Sequence, residues 1–469
     1  MELETQETGL VLGIDLGTTS VKVSLYDGKE TIQSASCDTH SKFVCSSQPP
    51  GAAEQLTSKI METCETCLSR LDSEKLSRVK RVGITGQMHG CVCWSSHAVV
   101  DQLELAGAST IKGFNDDLIT TSPLVTWEDL RCTEDFIASL PTPDTHLRLA
   151  TGHGCVTLFW FQRNNPEYLE KFTHAGTIMD LLVARLCGLD KPVMGIQNAA
   201  SWGYFNVSEK SWNKEILTAA GFPVHLLPEV VDPGVIVGQL GSPWHSIPAG
   251  CKVGVAMGDL PCSVLPLLQS PSDAVVNIGT SAQLVTSTPA GFDPPKSTPS
   301  STIEYFPFFK GQYLAVAAAL TGGNVIADCV SSLCQLAEDF GLSISKEDAY
   351  KKFIEKGLEV KDTSILIRPT LYGERHAPSQ RASVENLAPG NMRVGDISRA
   401  LCCGIITNLH SMMSRDDLID RGVGRIVGCG SALRRNSVLM QELERVFKMP
   451  VVHGQGGDAA QGAAMAMLM

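Results

Sequence analysis

Two stretches of the chain repeat one pattern: Leu10 to Tyr26 (LVLGIDLGTTSVKVSLY) and Ala274 to Thr286 (AVVNIGTSAQLVT). Each reads as an apolar strand, a Gly-Thr turn and a second strand of alternating character. At a constant spacing Asp15 falls on Asn277, Gly17 on Gly279, Thr18 on Thr280 and Thr19 on Ser281. Each unit opens about half of the 469 residues, which predicts two duplicated lobes facing one cleft. Strand candidates at 81–85, 252–257 and 425–427 alternate with helix candidates at 325–340 and 397–413, so the expected class is α/β. Pro/Ser/Gly-rich stretches at 46–51 and 289–300 read as surface loops, and the lobes are divided as 9–259 and 260–469.

Composition narrows the function. With 43% hydrophobic and 19% charged residues, the chain has ample material for a core. Its net charge of -12 and lack of any long basic run argue against nucleic acid as a partner. No apolar run approaches the ~20 residues that span a bilayer, and the N-terminus MELETQETG has no hydrophobic signal region, so a soluble cytoplasmic protein is expected. Sixteen scattered cysteines then read as reduced core residues. Cys64 and Cys67 share a helical face, Cys91 and Cys93 alternate on a strand, and no second CxxC completes a zinc site. Nothing in the sequence fixes an oligomeric state.

The turns carry a mechanism. Glycine lets backbone approach an anion, and the amides and hydroxyls of Gly17, Thr18 and Thr19 can donate to phosphate oxygens. Asp15, ending a buried strand, can hold Mg²⁺ through water, which that ion sheds reluctantly. Lys22 can reach a terminal phosphate, and Gly279-Thr280 can grip the nucleotide from the other lobe. Two ordinary hairpin turns are the plainer alternative for either unit alone. A third segment, Ile426 to Gln441 (IVGCGSALRRNSVLMQ), runs from a strand through Gly430 and Ser431 to a helix starting around Asn436. Small residues there would let a planar base lie on the backbone, although a packing requirement explains them equally well.

Together these segments resemble the actin-like ATPase fold shared by Hsp70 chaperones, hexokinases and the FGGY carbohydrate kinases. GITGQMHGCVCW (83–94) is similar to the ketose-binding stretch of xylulokinases, HLLPEVVDPGVIVG (225–238) to the FGGY segment before the catalytic strand, and PTLYGERHAP (369–378) to that family's Pro-x-x-x-Gly-Glu-Arg motif. The chain is thus identified as resembling the FGGY family from Gly9 to its end. The resemblance implies two ribonuclease H-like lobes, with ATP and Mg²⁺ as cofactors. It also implies transfer of the γ-phosphate to the terminal primary hydroxyl of a ketose. VTWEDLRC (125–132) and QNAASWGYFN (197–206) suggest sedoheptulose, with a pentulose such as xylulose as the alternative. An Hsp70-like ATPase would need a peptide-binding β domain after the lobes, and the sequence stops at Met469 soon after DAAQG.

By the same resemblance Gly258-Asp259 matches the family's catalytic motif. Asp259 is the expected base, an ordinary carboxylate ionised at neutral pH, and with Asp15 it is placed beside the metal. The following Leu260-Pro261 departs from the glutamines of many relatives. A Gly-Asp turn capping a helix is the competing reading. Gln87, Met88 and His89 are expected to contact the sugar, with Trp127, Asp129 and Asn198 as further contacts and Trp202 in the same class. Glu374-Arg375 reads as an ion pair or lobe-closure contact, and Gly323, within Thr321 to Asn324, as a nucleotide contact.

Overall fold

The computed structural model describes residues 9–95, 107–112, 118–454 and 457–469. Its first sheet contains β1 (Leu10–Leu16), β2 (Ser20–Tyr26), β3 (Thr31–Asp38), β4 (Val79–Gly86), β5 (Ile236–Gln239), β6 (Lys252–Gly254) and β7 (Met257–Gly258). Its second contains β8 (Asp273–Ile278), β9 (Ala282–Ser287), β10 (Glu304–Pro307), β11 (Tyr313–Ala319), β12 (Arg425–Cys429) and β13 (Val451–His453). The order β3-β2-β1-β4-β6 in one sheet matches β11-β9-β8-β12-β13 in the other. In both, the turn joins antiparallel strands and the central strand then pairs in parallel with a much later one. The repeat seen in the sequence is therefore a repeat of topology.

The two turns differ by one residue. β1 and β2 close with Leu16 opposite Val21, whereas β8 and β9 close with Ile278 opposite Ala282. The constant spacing holds up to Ser281 and slips afterwards. Lys22 stands opposite Asp15, and its counterpart opposite Asn277 is Gln283.

The helices that bear on the site are α1 (Thr57–Ser69), α2 (Gly154–Asn164), α3 (Ile196–Trp202), α4 (Asp259–Val264), α5 (Gly323–Asp339), α6 (Val394–Met412), α7 (Ser431–Arg435), α8 (Ser437–Phe447) and α9 (Ala459–Ala466). All seven residues of β1 are buried because helices cover both faces of its sheet, α1 packing on β2 and α9 on β1 and β4. α9, with the sequence AAQGAAMA, follows the second sheet in the chain yet lies on the first. One apolar cluster joins Val11 and Met257 of the first sheet, Cys262 of α4 and Ala463 of α9 to Val275 and Val427 of the second sheet. α4 and α9 are thus the layer between the sheets, and the division at 259/260 cuts the sequence there rather than the space.

This layer sits at distances only glycine allows. A Cβ at Gly13 would lie 1.8 Å from the Ala460 carbonyl oxygen, one at Gly83 2.3 Å from that of Ala463, and one at Gly462 1.8 Å from that of Cys262.

The expected strand over 252–257 is interrupted. The Val255 N–H donates to the Val235 carbonyl at 2.8 Å, and the Ala256 carbonyl accepts from Asn198 of α3 at 3.4 Å. Pairing resumes at Met257 and Gly258 against Thr85 and Gly86, which aims the next residue, Asp259, out of the sheet. All sixteen cysteines are free, and Cys64, Cys67, Cys91 and Cys93 are buried as core residues. Among the described residues no helix is long and apolar enough to cross a membrane.

Backbone contacts cannot yield as side chains can. Gly13→Ala is expected to cost about 1–3 kcal/mol by overpacking, read as a lower urea midpoint. Gly424→Ala, whose nearest neighbour would be 3.9 Å away, should stay within about 0.5 kcal/mol of the parent. Equal midpoints for the two variants would mean that α9 is free to move off the sheet.

Candidate active site

The floor of the site is a group of carboxylates that α4 and α9 bring to the end of β1. Asp15 is buried, and its Oδ1 has no hydrogen-bond partner. Burial pushes its pKa up to about 7; the Asp259 and Asp458 carboxylates add to the rise and Lys22 opposes it. Asp458 caps α9 by accepting from the Ala460 N–H at 3.0 Å, and its other oxygen accepts from Ser24 Oγ at 3.3 Å. Nothing in the sequence reading singled out Asp458; the DAAQG stretch carried the signal, but only the fold brings it to Asp15.

Asp259 is the first residue of α4, and Gly258 occupies the cap position. The Leu260 N–H donates to Asp259 Oδ1 at 2.7 Å. The side chain is only partly exposed, and burial raises its pKa to about 6, against the opposing pull of the Leu260 N–H. This corrects the expectation of an ordinary carboxylate: desolvation outweighs the backbone hydrogen bond.

The phosphate-type turns are built alike. The Gly17 N–H donates across its turn to the Ser20 carbonyl at 3.1 Å, and the Gly279 N–H to the Ser281 carbonyl at 3.0 Å. Thr19 and Thr280 are exposed, as is Lys22. Thr18 is already engaged: its hydroxyl accepts from Trp127 Nε1 at 3.0 Å, and its carbonyl accepts from Gln55 Nε2 at 2.6 Å. Gln55, which the sequence reading passed over, also accepts from Gln87 Nε2 at 2.9 Å and so ties the first turn to the Gln87–His89 stretch.

Gly323 and Gly430 support the second turn from behind. The Gly323 N–H donates to the Gly279 carbonyl at 2.8 Å, and a Cβ there would approach that oxygen to 2.6 Å. Gly430 has φ 96°, and a Cβ on it would lie 2.3 Å from the Ile278 carbonyl. Ser431 opens α7, so the helix starts before Asn436. Asn436 is buried and caps α8, accepting from the Val438 N–H at 3.0 Å, while its amide points at Cys402 Sγ. Both ends of that side chain are used internally, which removes it from the adenosine contacts. Glu374 and Arg375 do not pair. Glu374 is buried and accepts from the Leu320 N–H, Thr321 Oγ1 and Asn408 Nδ2, whereas Arg375 is exposed.

On the other wall, Met88 packs against Gly258, the residue before Asp259. A Cβ on Gly258 would lie 2.5 Å from Met88 Sδ, and the Gly258 N–H donates to Gln197 Oε1 at 3.1 Å. His89 adopts φ 71°, and its Nδ1 lies 3.0 Å from the Ser201 carbonyl. Its ring stacks on His153 with centroids 4.9 Å apart, and burial lowers its pKa. Asn198 is buried with Oδ1 unpartnered, as is Gln197 with Nε2. Trp127 is 45% exposed and can present a face, but Trp202 is fully buried, its Nε1 donating to the Gly90 carbonyl.

Asp129 is corrected. It is fully buried and grips Arg131 through both oxygens, and Oδ2 also accepts from the Ala53 N–H at 2.8 Å. A carboxylate satisfied in this way organises the loop and leaves no lone pair for a sugar.

Contacts from both halves border this wall. Arg148 Nε donates to Glu304 at 3.1 Å, and His146 Nε2 lies 2.7 Å from the Tyr305 carbonyl.

The N-terminal domain model of the FGGY family of carbohydrate kinases matches residues 10–109 and 115–258. Sedoheptulokinase of Mus musculus is 45% identical over 467 residues, covering 98% of this chain and 97% of that protein. Sedoheptulokinase of Homo sapiens is 44% identical over 469 residues, with the same coverages. Among solved structures, xylulose kinase from Rhodospirillum rubrum superposes with a TM-score of 0.80 at 19% identity, over 98% of this chain and 89% of that one. Ligand-bound xylulose kinase from Lactobacillus acidophilus gives 0.76 at 20% identity, over 98% and 88%. The fold is the two-lobed actin-like α/β architecture, and the chain belongs to the FGGY family of carbohydrate kinases.

Proposed function

We propose that this chain transfers the γ-phosphate of ATP to the terminal primary hydroxyl of sedoheptulose, with Asp259 as the base. The observation that carries the reading is Asp259 itself. It is a partly exposed carboxylate with a raised proton affinity, and it directly follows Gly258, which touches Met88 and donates to Gln197. The sugar identity rests on the two relatives named sedoheptulokinase, which match over nearly the full length of both chains.

Phosphoryl transfer asks the protein chiefly for positioning and electrostatics. Asp259 accepts the hydroxyl proton as the sugar oxygen attacks, and the Leu260 N–H fixes its orientation. Lys22, Thr19 and the Gly17 turn face the terminal phosphates, while Thr280 and the Gly279 turn hold the nucleotide from the second lobe. Gly430 and Ser431 leave room for the adenosine. Sugar and phosphate binding thus fall mainly to residues 9–259 and nucleotide binding mainly to 260–469, with α9 serving both.

The carboxylates also fit Mg²⁺. Asp15 has a buried oxygen without a partner and a pKa pushed up to about 7, and a cation there would relieve both conditions. Among the described residues no three metal-binding side chains gather closely enough for direct ligation, which suits an ion held largely through water by Asp15 and Asp259. When bound, it would neutralise charge on the phosphates. A reduced, cytoplasmic setting agrees with the sixteen free thiols.

Asp259→Asn keeps an oxygen for the Leu260 N–H but cannot take up the proton. It should lower kcat by roughly 10²–10⁴-fold with an unchanged melting curve and ATP affinity. A near-parental kcat would remove Asp259 as the base.

The raised pKa sets the sign of the pH dependence. A base that holds its proton up to pH of about 6 is idle below that value. kcat/KM should therefore climb about tenfold per pH unit below 6 and level off above it, and Asp259→Asn should flatten that limb. A limb centred at ~4, the ordinary carboxylate range, would show that burial does not govern this group.

In an ADP-release assay sedoheptulose should outperform xylulose, and glycerol should be poor. A short polyol leaves buried partners unpaired, at about 1–3 kcal/mol each. Highest kcat/KM for glycerol would overturn the sugar assignment.

A further inference from the structure

The sugar wall contains a histidine that neither its sequence context nor its local structure explains. His153 occupies the cap position of α2 and makes no side-chain cap bond, although Ser, Thr, Asn or Asp would do so there. Its Nδ1 is buried without a partner. A buried polar atom left unpaired calls for an explanation beyond packing. Two more such atoms, Gln197 Nε2 and Asn198 Oδ1, lie on α3, which packs against α2 and supplies the Ser201 carbonyl that meets His89. Three orphaned polar atoms thus belong to two packed helices that both meet His89.

The contacts also have a direction. Asp259 follows Gly258, Gly258 touches Met88, His89 follows Met88, and His153 stacks on His89 within 5° of parallel. The same order runs along α3. Gln197 near its start accepts from the Gly258 N–H, and Ser201, one turn or ~6 Å later, meets His89. The stacked pair therefore stands further from Asp259 and faces the end of the sugar remote from the phosphorylated hydroxyl.

We infer that His153 Nδ1 binds a hydroxyl at the remote end of a ketose longer than five carbons and so sets the preference for chain length. This rests on the proposed kinase activity and names a determinant within it. Burial holds the ring well below its ordinary pKa, helped by His89 and Arg148, so it is neutral at pH 7 and can donate or accept through Nδ1. Around the pair stand Arg148 and Arg375 with Glu304 opposing them, and Arg148 is already bound to Glu304. A pentulose phosphorylated at its terminal hydroxyl is two carbons shorter and ends before this nitrogen.

His153→Phe keeps an aromatic ring on His89 and removes Nδ1. The ratio of kcat/KM for sedoheptulose over xylulose should fall about 5–150-fold, the range for one unpaired buried hydrogen bond. Xylulose turnover and the KM for ATP should hold, and His153→Gln, which restores a polar atom on a side chain that is not a preferred helix cap, should recover much of the ratio. The parent enzyme gives a second arm that needs no variant to fold: 1-deoxysedoheptulose should lose a similar factor relative to sedoheptulose. An unchanged ratio in His153→Phe, an equal loss on both sugars, or full activity on the deoxy sugar would overturn the inference alone. Failure of the parent enzyme to phosphorylate sedoheptulose at all would overturn the underlying reading and this inference with it.

Discussion

The arrangement depends on backbone meeting backbone between α9 and the first sheet. Glycines at 13 and 83 let the helix settle on β1 and β4, and Gly462 lets α4 settle on the helix. No side chain separates these elements, so their termini lie where side chains of ordinary length can interact. The N-terminus of α9 carries Asp458, that of α4 carries Asp259, and Asp15 is the last but one residue of β1. A larger residue at any of the three glycines would hold the carboxylates further apart and admit water among them.

That packing has an electrostatic cost: burial raises the proton affinities of Asp15 and Asp259, and at Asp15 the neighbouring carboxylates add to the rise. Two carboxylates pushed towards neutrality in a dry site favour whatever supplies positive charge. Lys22 supplies part of it, from directly opposite Asp15 on β2. On the proposed reading a hydrated cation supplies the rest and the reacting sugar hydroxyl a proton to Asp259, so the cost of burying these carboxylates becomes affinity for the substrate complex. A fold optimised only for its own stability would place apolar residues there.

What could be read in the sequence followed the range over which its signals act. The strand-turn-strand units were legible because periodicity and a Gly-Thr turn are local, and their repetition gave the two-lobed topology. The helix over 325–340 was likewise close to the observed Gly323–Asp339. The break at Val255–Ala256 was not legible, because it comes from α3, a helix from another part of the chain, bonding to the Ala256 carbonyl. Asp129 looked like a sugar contact because carboxylates accept hydroxyls, and Asn436 an adenosine contact because it stood where the helix after the small-residue junction was expected to begin. Their partners, Arg131 and the α8 amides, consume those groups. Asp458 and His153 were missed for the complementary reason: a capping aspartate and a lone histidine carry no local signal, and their significance comes from neighbours that only the tertiary structure supplies.

The duplicated turns show how one geometry has been given two chemistries. In the first, an aspartate faces a lysine across the ladder; in the second, Asn277 faces Gln283. In both, the glycine amide is spent on the carbonyl across the turn, and an exposed threonine, Thr19 or Thr280, is left to meet an anion. Full charges are kept only where α4 and α9 deliver further carboxylates. The second turn is instead buttressed from behind, by Gly323 and Gly430 directly and by the Glu374 carboxylate through the Leu320 N–H and Thr321. The carboxylates at the first turn repel phosphate by themselves, so on the proposed reading Lys22 and a cation held by Asp15 and Asp259 are what turn the phosphate end of the nucleotide toward that lobe.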